Sequence, residues 1–171
     1  MKTDFIFDME TGDPDDFLTL ILLLGHPRVN LKAVTVTPGT RGQVGLVKWA
    51  CKQFDAQIPV GSFNPTSDKN CVSSWHYNTF GNIPEARPAD LGGVVLKDMC
   101  DEHTILVTGA PLKNVGAAMD LGFTAMELVA QGGFAGEGVI PQERQLPKFK
   151  GKVTCPTYNL NGDSKSALRV L

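Results

Sequence analysis

Six of the eighteen acidic residues fall between positions 4 and 16: Asp4, Asp8, Glu10, Asp13, Asp15 and Asp16. No Lys or Arg occurs from Thr3 to Pro27. Carboxylates this close repel one another and raise each other's pKa unless positive charge is supplied. The chain offers no local base, so a bound cation is the natural counter-charge. The core of the cluster is DMETGDPDD, residues 8–16. Helix capping accounts for one half of it: Asp13 as N-cap, Pro14 as first helical residue, and Asp15 and Asp16 favoured by the helix dipole. Capping leaves Asp8 and Glu10 unexplained, because both sit at the end of a preceding strand. Five carboxylates at one turn predict a site for a metal ion or a polyol. Neither GxxxxGK[ST] nor GxGxxG occurs near a strand end, so a phosphate-linked Mg²⁺ site is disfavoured. A hard cation with six to eight oxygen ligands, Ca²⁺, holding a neutral polyhydroxy compound fits better.

The segments that would position this turn alternate strand and helix. Apolar and β-branched runs predict strands over Asp4–Asp8, Leu31–Thr37, Ile58–Ser62, Thr104–Thr108 and Ala125–Ala130. Helical spacing covers Asp15–Gly25, Val44–Phe54, Leu91–Glu102, Leu112–Met119 and Ser164–Leu171. Such alternation predicts an α/β domain with a mostly parallel open sheet and helices on both faces. Sites in these sheets form at the carboxyl ends of the strands. That brings together Asp8–Asp16, Thr37–Arg41, Thr108–Pro111 and Gly132–Gly133. The last helix ends on an apolar stripe (Ala167, Leu168, Val170, Leu171) with no cap. The expectation is a single domain over 1–171 whose carboxyl-terminal portion is absent.

Composition narrows the partners. With 171 residues, 42% of them hydrophobic, the chain can bury a core. A formal charge of −2 argues against a broad nucleic-acid surface. The longest apolar run, near Leu18–Leu24, is far short of the roughly 20 residues a membrane span needs. No signal peptide is apparent. Cys51, Cys71, Cys100 and Cys155 form no CxxC pair, so reduced thiols in a cytoplasmic protein are expected. Two long Pro-containing loops, Phe63–Asp90 and Phe134–Thr157, interrupt the pattern. The first carries Trp75, His76, Tyr77 and Phe80. These either cover a planar ligand or pin a solvated loop. Trp49 reads as core, and His26 and His103 as helix-end or surface groups.

DMETGDPDDFLTL resembles the amino-terminal signature of the inosine–uridine-preferring nucleoside hydrolases, DxDPGxDD followed by an apolar helix. The likeness continues in TGAPLKNVGAAM (Thr108–Met119), similar to that family's TGPLTN, in MELVAQGGFAG (Met126–Gly136), and in CPTYNLNGDSKSA (Cys155–Ala167), similar to AEFNxxxDPEAA. Four motifs in order match the amino-terminal half of a family member. The resemblance implies hydrolysis of the N-glycosidic bond of a ribonucleoside to ribose and free base. It implies a Ca²⁺ that holds the attacking water and the ribose 2′- and 3′-hydroxyls. On the matching positions Glu10 ligates the ion and takes the proton of the water. Asp15 binds ribose hydroxyls, Asp16 ligates the ion, and Thr108 offers it a backbone carbonyl. Asn159 holds the ribose, and Asp8 supports from beneath. His76 falls loosely where the family has a substrate-facing histidine. A homo-oligomer is compatible with this reading.

Departures from the pattern are specific. One extra residue precedes Asp15-Asp16, and Glu10 replaces the second Asp. Gly39-Thr40 stand for Gly-Asn, with Gln43 a candidate substitute, and Thr157 stands for a glutamate. The alternative reading is a catalytically inactive fragment serving as a binding or interaction module. Two other enzyme readings fail on missing residues. IFDMETG also resembles the DxETTG motif of proofreading exonucleases, but the HxxxxD or YxxxD partner is lacking. Dehalogenase-type phosphatases need a later lysine and a distal acidic pair, and no clear equivalent follows Thr108.

Overall fold

The structure is a computed structural model that describes residues 2–170. Six strands form one parallel sheet: β1 Thr3–Met9, β2 Val29–Val36, β3 Val60–Ser62, β4 Asp90–Leu91, β5 Thr104–Thr108 and β6 Glu127–Ala130. Their order is β4-β3-β2-β1-β5-β6. The expected α/β architecture with a parallel open sheet is therefore the observed one. β1 is central because its alternation buries both faces: Ile6 joins one apolar cluster and Phe7 and Met9 the other.

Helices cover the two faces unequally. On one face α1 (Asp15–Gly25) and α2 (Arg41–Gln53) pack over β1–β3, with Phe17, Leu20, Val44 and Val47 in the core. α3 (Ser74–Phe80) joins them from inside the first long loop. On the other face α4 (Gly92–Met99), α5 (Lys113–Asp120) and α7 (Ser164–Val170) pack together on Ile6, Leu106 and Leu112. α6 (Tyr158–Gly162) precedes α7, and the expected helix end at Leu171 lies outside the described residues.

Several boundaries differ from the sequence expectation for local reasons. α2 starts at Arg41, not Val44, because Thr40 and Gln43 form a capping box. The strand expected over Ala125–Ala130 begins at Glu127, where its pairing with Ile105 begins. The aromatics of the Phe63–Asp90 loop resolve their two open readings. Trp75 and Phe80 pack against one another and Phe80 against Phe17 and Trp49, with ring centroids 5.1–5.6 Å apart, so they pin the loop to the core. All four cysteines are free thiols.

Leu106 is fully buried at the middle of β5 and packs on the second cluster. Leu106→Ala should cost about 2–5 kcal/mol through lost burial and an unfilled cavity. Urea denaturation measures it, and a loss under about 1 kcal/mol would contradict this packing.

Candidate functional site

The acid turn follows β1 directly, at the carboxyl end of the sheet. Asp8 is the last inward acid of the strand and has no exposed surface. Its Oδ1 accepts from Thr35 Oγ1 (2.7 Å) and Asn114 Nδ2 (2.8 Å), and its Oδ2 from Thr108 Oγ1 (3.1 Å). Its carbonyl accepts from Gly109 N (2.9 Å). One carboxyl thus ties β1 to β2, β5 and α5. Burial pushes its pKa up to about 6, against the three side-chain donors that pull it down. Asp8 was expected as a buried supporting group; the structure buries it among these donors, and Asn114 is the partner that the sequence reading did not single out.

Asp13 was expected as the N-cap of α1, and the structure corrects that, although Asp15 and Asp16 do lie in the helix's first turn. Pro14 occupies the N-cap and no side chain caps the helix. Asp16 turns back instead: its Oδ2 accepts from Glu10 N (2.9 Å). Its Oδ1 lies against Gly109, where a Cβ would come within 2.0 Å. Glycine at 109 is what lets the carboxylate approach the end of β5. Burial first, and the charges of Asp15, Glu10 and Asp8 after it, push Asp16 up to about 7, although the Glu10 amide pulls the other way. Glu10 is also raised, chiefly by burial and then by Asp13 and Asp15, while its carboxylate accepts from the amides of Gly12 and Asp13.

A cavity of about 270 Å³ opens here between Asp15, Asp16, Thr108, Gly109 and Gln131. Three expected residues therefore share one space. The Thr108 carbonyl accepts from Gln131 N (2.8 Å), leaving one lone pair. Asn159, on α6, donates from Nδ2 to the Gln131 carbonyl (3.1 Å), so Gln131 links it to the cavity. A larger cavity of about 650 Å³ lies beside Arg41, Lys69, Cys71 and Tyr77 and holds none of the turn's carboxylates. The smaller one is the candidate site because Asp15 and Asp16 of the acid turn line it; Glu10 is not among its lining residues.

His76 does not join them. It has no exposed surface and sits edge-on to Phe17 (5.1 Å) and Trp75 (5.3 Å), with Nδ1 3.1 Å from the Ser73 carbonyl. Burial lowers its pKa, against the Ser73 hydrogen bond that raises it. It was expected to bind substrate; here it packs against Phe17 and Trp75, does not line the cavity, and its buried Nε2 has no hydrogen-bond partner among the described residues. Gln43 is likewise occupied. Its Oε1 accepts from the amides of Gly39 (2.9 Å) and Thr40 (3.0 Å), and its Nε2 donates to Thr11 Oγ1 (3.0 Å). Thr11 in turn donates to the Cys71 carbonyl (2.7 Å), which anchors the acid turn from the side. Tyr158, on the segment after the second long loop, lines a separate cavity with Pro111 and Lys113, and partial burial, then the charges of Glu10, Cys71 and Asp13, raise its phenol.

The donor set suits a hard cation in kind: carboxylates from Glu10, Asp15 and Asp16, and the Thr108 carbonyl. It is not assembled. Among the described residues no group of three or more His, Cys, Asp or Glu side chains is gathered to hold a metal ion. Nor does any described ion pair reach Glu10, Asp13, Asp15 or Asp16.

Comparison with solved structures decides the architecture. Over 80% of its length the chain superposes on a plant nucleoside hydrolase with a TM-score of 0.64 and 18% identity. Over 99% it superposes on the inosine–uridine preferring nucleoside hydrolase of Bacillus anthracis with a TM-score of 0.62 and 19% identity. The chain has the nucleoside-hydrolase fold. An inosine–guanosine nucleoside hydrolase is similar at a TM-score of 0.53 and 17% identity. No family model matches the sequence. An uncharacterized protein of Aquifex aeolicus (strain VF5) is 27% identical over 168 residues, 96% of this chain. The chain spans 57% of that relative, and 50–61% of these three nucleoside hydrolases.

A raised carboxyl stabilises the fold below its unfolded pKa, near 4, and that contribution is lost as pH rises through the folded value. For Asp8 and Asp16 the loss falls between about pH 4 and 8. Without divalent ions, the urea midpoint should therefore drop from pH 5 to pH 8. Asp8→Asn, a neutral stand-in for the protonated acid, should flatten that drop. An equal drop in the variant would show that Asp8 does not carry it.

Proposed function

We propose that this chain provides the ribose- and metal-binding part of an N-ribosyl hydrolase, which cleaves ribonucleosides to ribose and free base with Ca²⁺. The observation that supports this most is the turn of Asp16 away from helix capping and onto Glu10, beside the carbonyl of Thr108. Two acids are held close at a strand end, and among the described residues no ion pair offsets them.

Glu10, Asp16 and the Thr108 carbonyl would hold the ion. When bound, Ca²⁺ lowers the pKa of a water so that a carboxylate can take its proton. Glu10 is that carboxylate. Its raised pKa brings it closer to the operating pH, which suits a general base. To act, it must leave the Gly12 amide. Asp15 and Asn159 orient the sugar hydroxyls, and Gln131 fixes Asn159. The remaining negative charge favours the oxocarbenium character that glycosidic cleavage develops. Asp8 reacts with nothing; it holds the ends of β1, β2 and β5 in register. The second reading, a binding module without turnover, is favoured by the Glu10 carboxylate being engaged within its own turn.

Calorimetry with Ca²⁺ and a ribose-release assay on inosine and uridine test both. Calcium binding should weaken at least about tenfold in Asp16→Asn, about 1.4 kcal/mol. Ribose release should need both Ca²⁺ and Glu10. Parent-like calcium affinity in the variant would contradict the ligand assignment. Calcium binding with no ribose release would favour the module.

A further inference from the structure

α6 borders two spaces at the carboxyl end of the sheet. Asn159 donates to the Gln131 carbonyl (3.1 Å), and Gln131 lines the candidate site. Tyr158 and Asn161, from the same short helix, line a second cavity of about 540 Å³ with Pro111, Lys113 and Thr157. Pro111 stands three residues after Thr108, so the β5–α5 connection also borders both spaces. No residue of the second cavity takes part in the proposed hydrolysis.

Its polar lining is of one kind. Lys113 supplies a cation, and no Asp or Glu lines the space. No ion pair to Lys113 occurs among the described residues; its Nζ rests 5.7 Å from the centroid of the Phe63 ring. The other polar groups can donate. Asn161 Oδ1 accepts from the Thr157 amide (2.7 Å), which leaves its Nδ2 group as the free end. The Thr157 hydroxyl oxygen is buried and has no partner among the described residues. Partial burial and the acidic charges of the turn raise the Tyr158 phenol, so it stays a donor. The other cavities differ. The one of about 650 Å³ sets Asp68 and Glu85 beside Arg41 and Lys69, and the candidate site holds Asp15 and Asp16. A lone ammonium among neutral donors, with no carboxylate, selects an anion rich in acceptor oxygens.

We infer that this cavity takes the phosphate of a ribonucleoside 5′-monophosphate, with Lys113, Thr157, Tyr158 and Asn161 as its donors. The choice of the 5′ position rests on the proposed function. There the 2′- and 3′-hydroxyls are directed to the acids and C1′ carries the base, so the 5′ carbon is the place left for an anionic group. Tyr158 lies within the field of Glu10 and Asp13, so a phosphate beside it is repelled while the turn carries uncompensated charge. A cation at the turn removes that repulsion. Ca²⁺ and the monophosphate should therefore strengthen each other's binding. Free phosphate satisfies the same donors, so the two sources must be told apart.

Calorimetry of the 171-residue chain in Ca²⁺ compares inosine with inosine 5′-monophosphate, and a Ca²⁺-free titration uses inorganic phosphate. The monophosphate should bind at least about tenfold tighter than inosine, because charge-assisted hydrogen bonds are the strong ones. Lys113→Met, which keeps an apolar stem over Phe63, should remove most of that advantage. Tyr158→Phe, which keeps the ring, should reduce it about threefold. A monophosphate that binds no tighter than inosine overturns the inference, and so does an advantage that survives both substitutions. Phosphate binding that Lys113→Met abolishes, with no gain for the monophosphate over inosine, also overturns it: the cavity is then a site for free phosphate. A monophosphate advantage lost in Lys113→Met, with no ribose released from either compound, supports the inference and contradicts only the hydrolase reading.

Discussion

Negative charge confined to a poorly hydrated strand end is the constraint on which this molecule's organisation depends. Asp8, Glu10 and Asp16 all have raised pKa values, and in each case burial is the largest cause. The chain spends much of its polar structure on holding them there. Asp8 is met by three side-chain donors from β2, β5 and α5. Thr11 is fixed between Gln43 and Cys71, and Gly109 is kept bare so that Asp16 can approach. A fold gains no stability from unpaired buried carboxylates; removing the charge, by protonation or by a cation, is the relief.

That constraint divides the polar residues into those that hold and those that present. Asp8, Asn114 and Gln43 hold: each is fully buried and bonded to other elements. Asp15, Asp16, Gln131 and the Thr108 carbonyl present: they line a cavity open at the sheet end. Glu10 stands between the two groups, its amide bonded to Asp16 and its carboxylate bonded to the turn itself. The same cavity borders the uncovered side of β5 and β6, so charge and apolar exposure meet at one place.

The sheet was legible because its strands are short β-branched runs separated by helices of clear period, as in TILVT at Thr104–Thr108. The acid turn was legible from charge alone. What could not be read was direction. Asp13-Pro14 carries a helix-start signal, yet Asp16 turns toward Glu10 because Gly109 leaves space for it, a contact 93 positions away in sequence. His76 offers the same lesson in reverse. Its residue type fits a binding role, but Phe17 and Trp75 enclose it. Gln131 and Asn114 were not singled out, since their partners lie on distant elements: Asn114 donates to Asp8 and Thr37, and Gln131 bonds Thr108 and Asn159. β4, two residues long, lies below what any pattern can report.

The most direct test of the central claim is proton release on calcium binding. If the carboxyl of Asp16 is held partly protonated by burial and crowding, a cation must displace that proton to bind. Titration of Ca²⁺ into the chain at pH 6.5, in two buffers of different ionisation enthalpy, reads the protons directly. The account predicts a net release that fades as the pH is raised past 8. Binding with no proton release at pH 6.5, or no binding at any of these pH values, would contradict it.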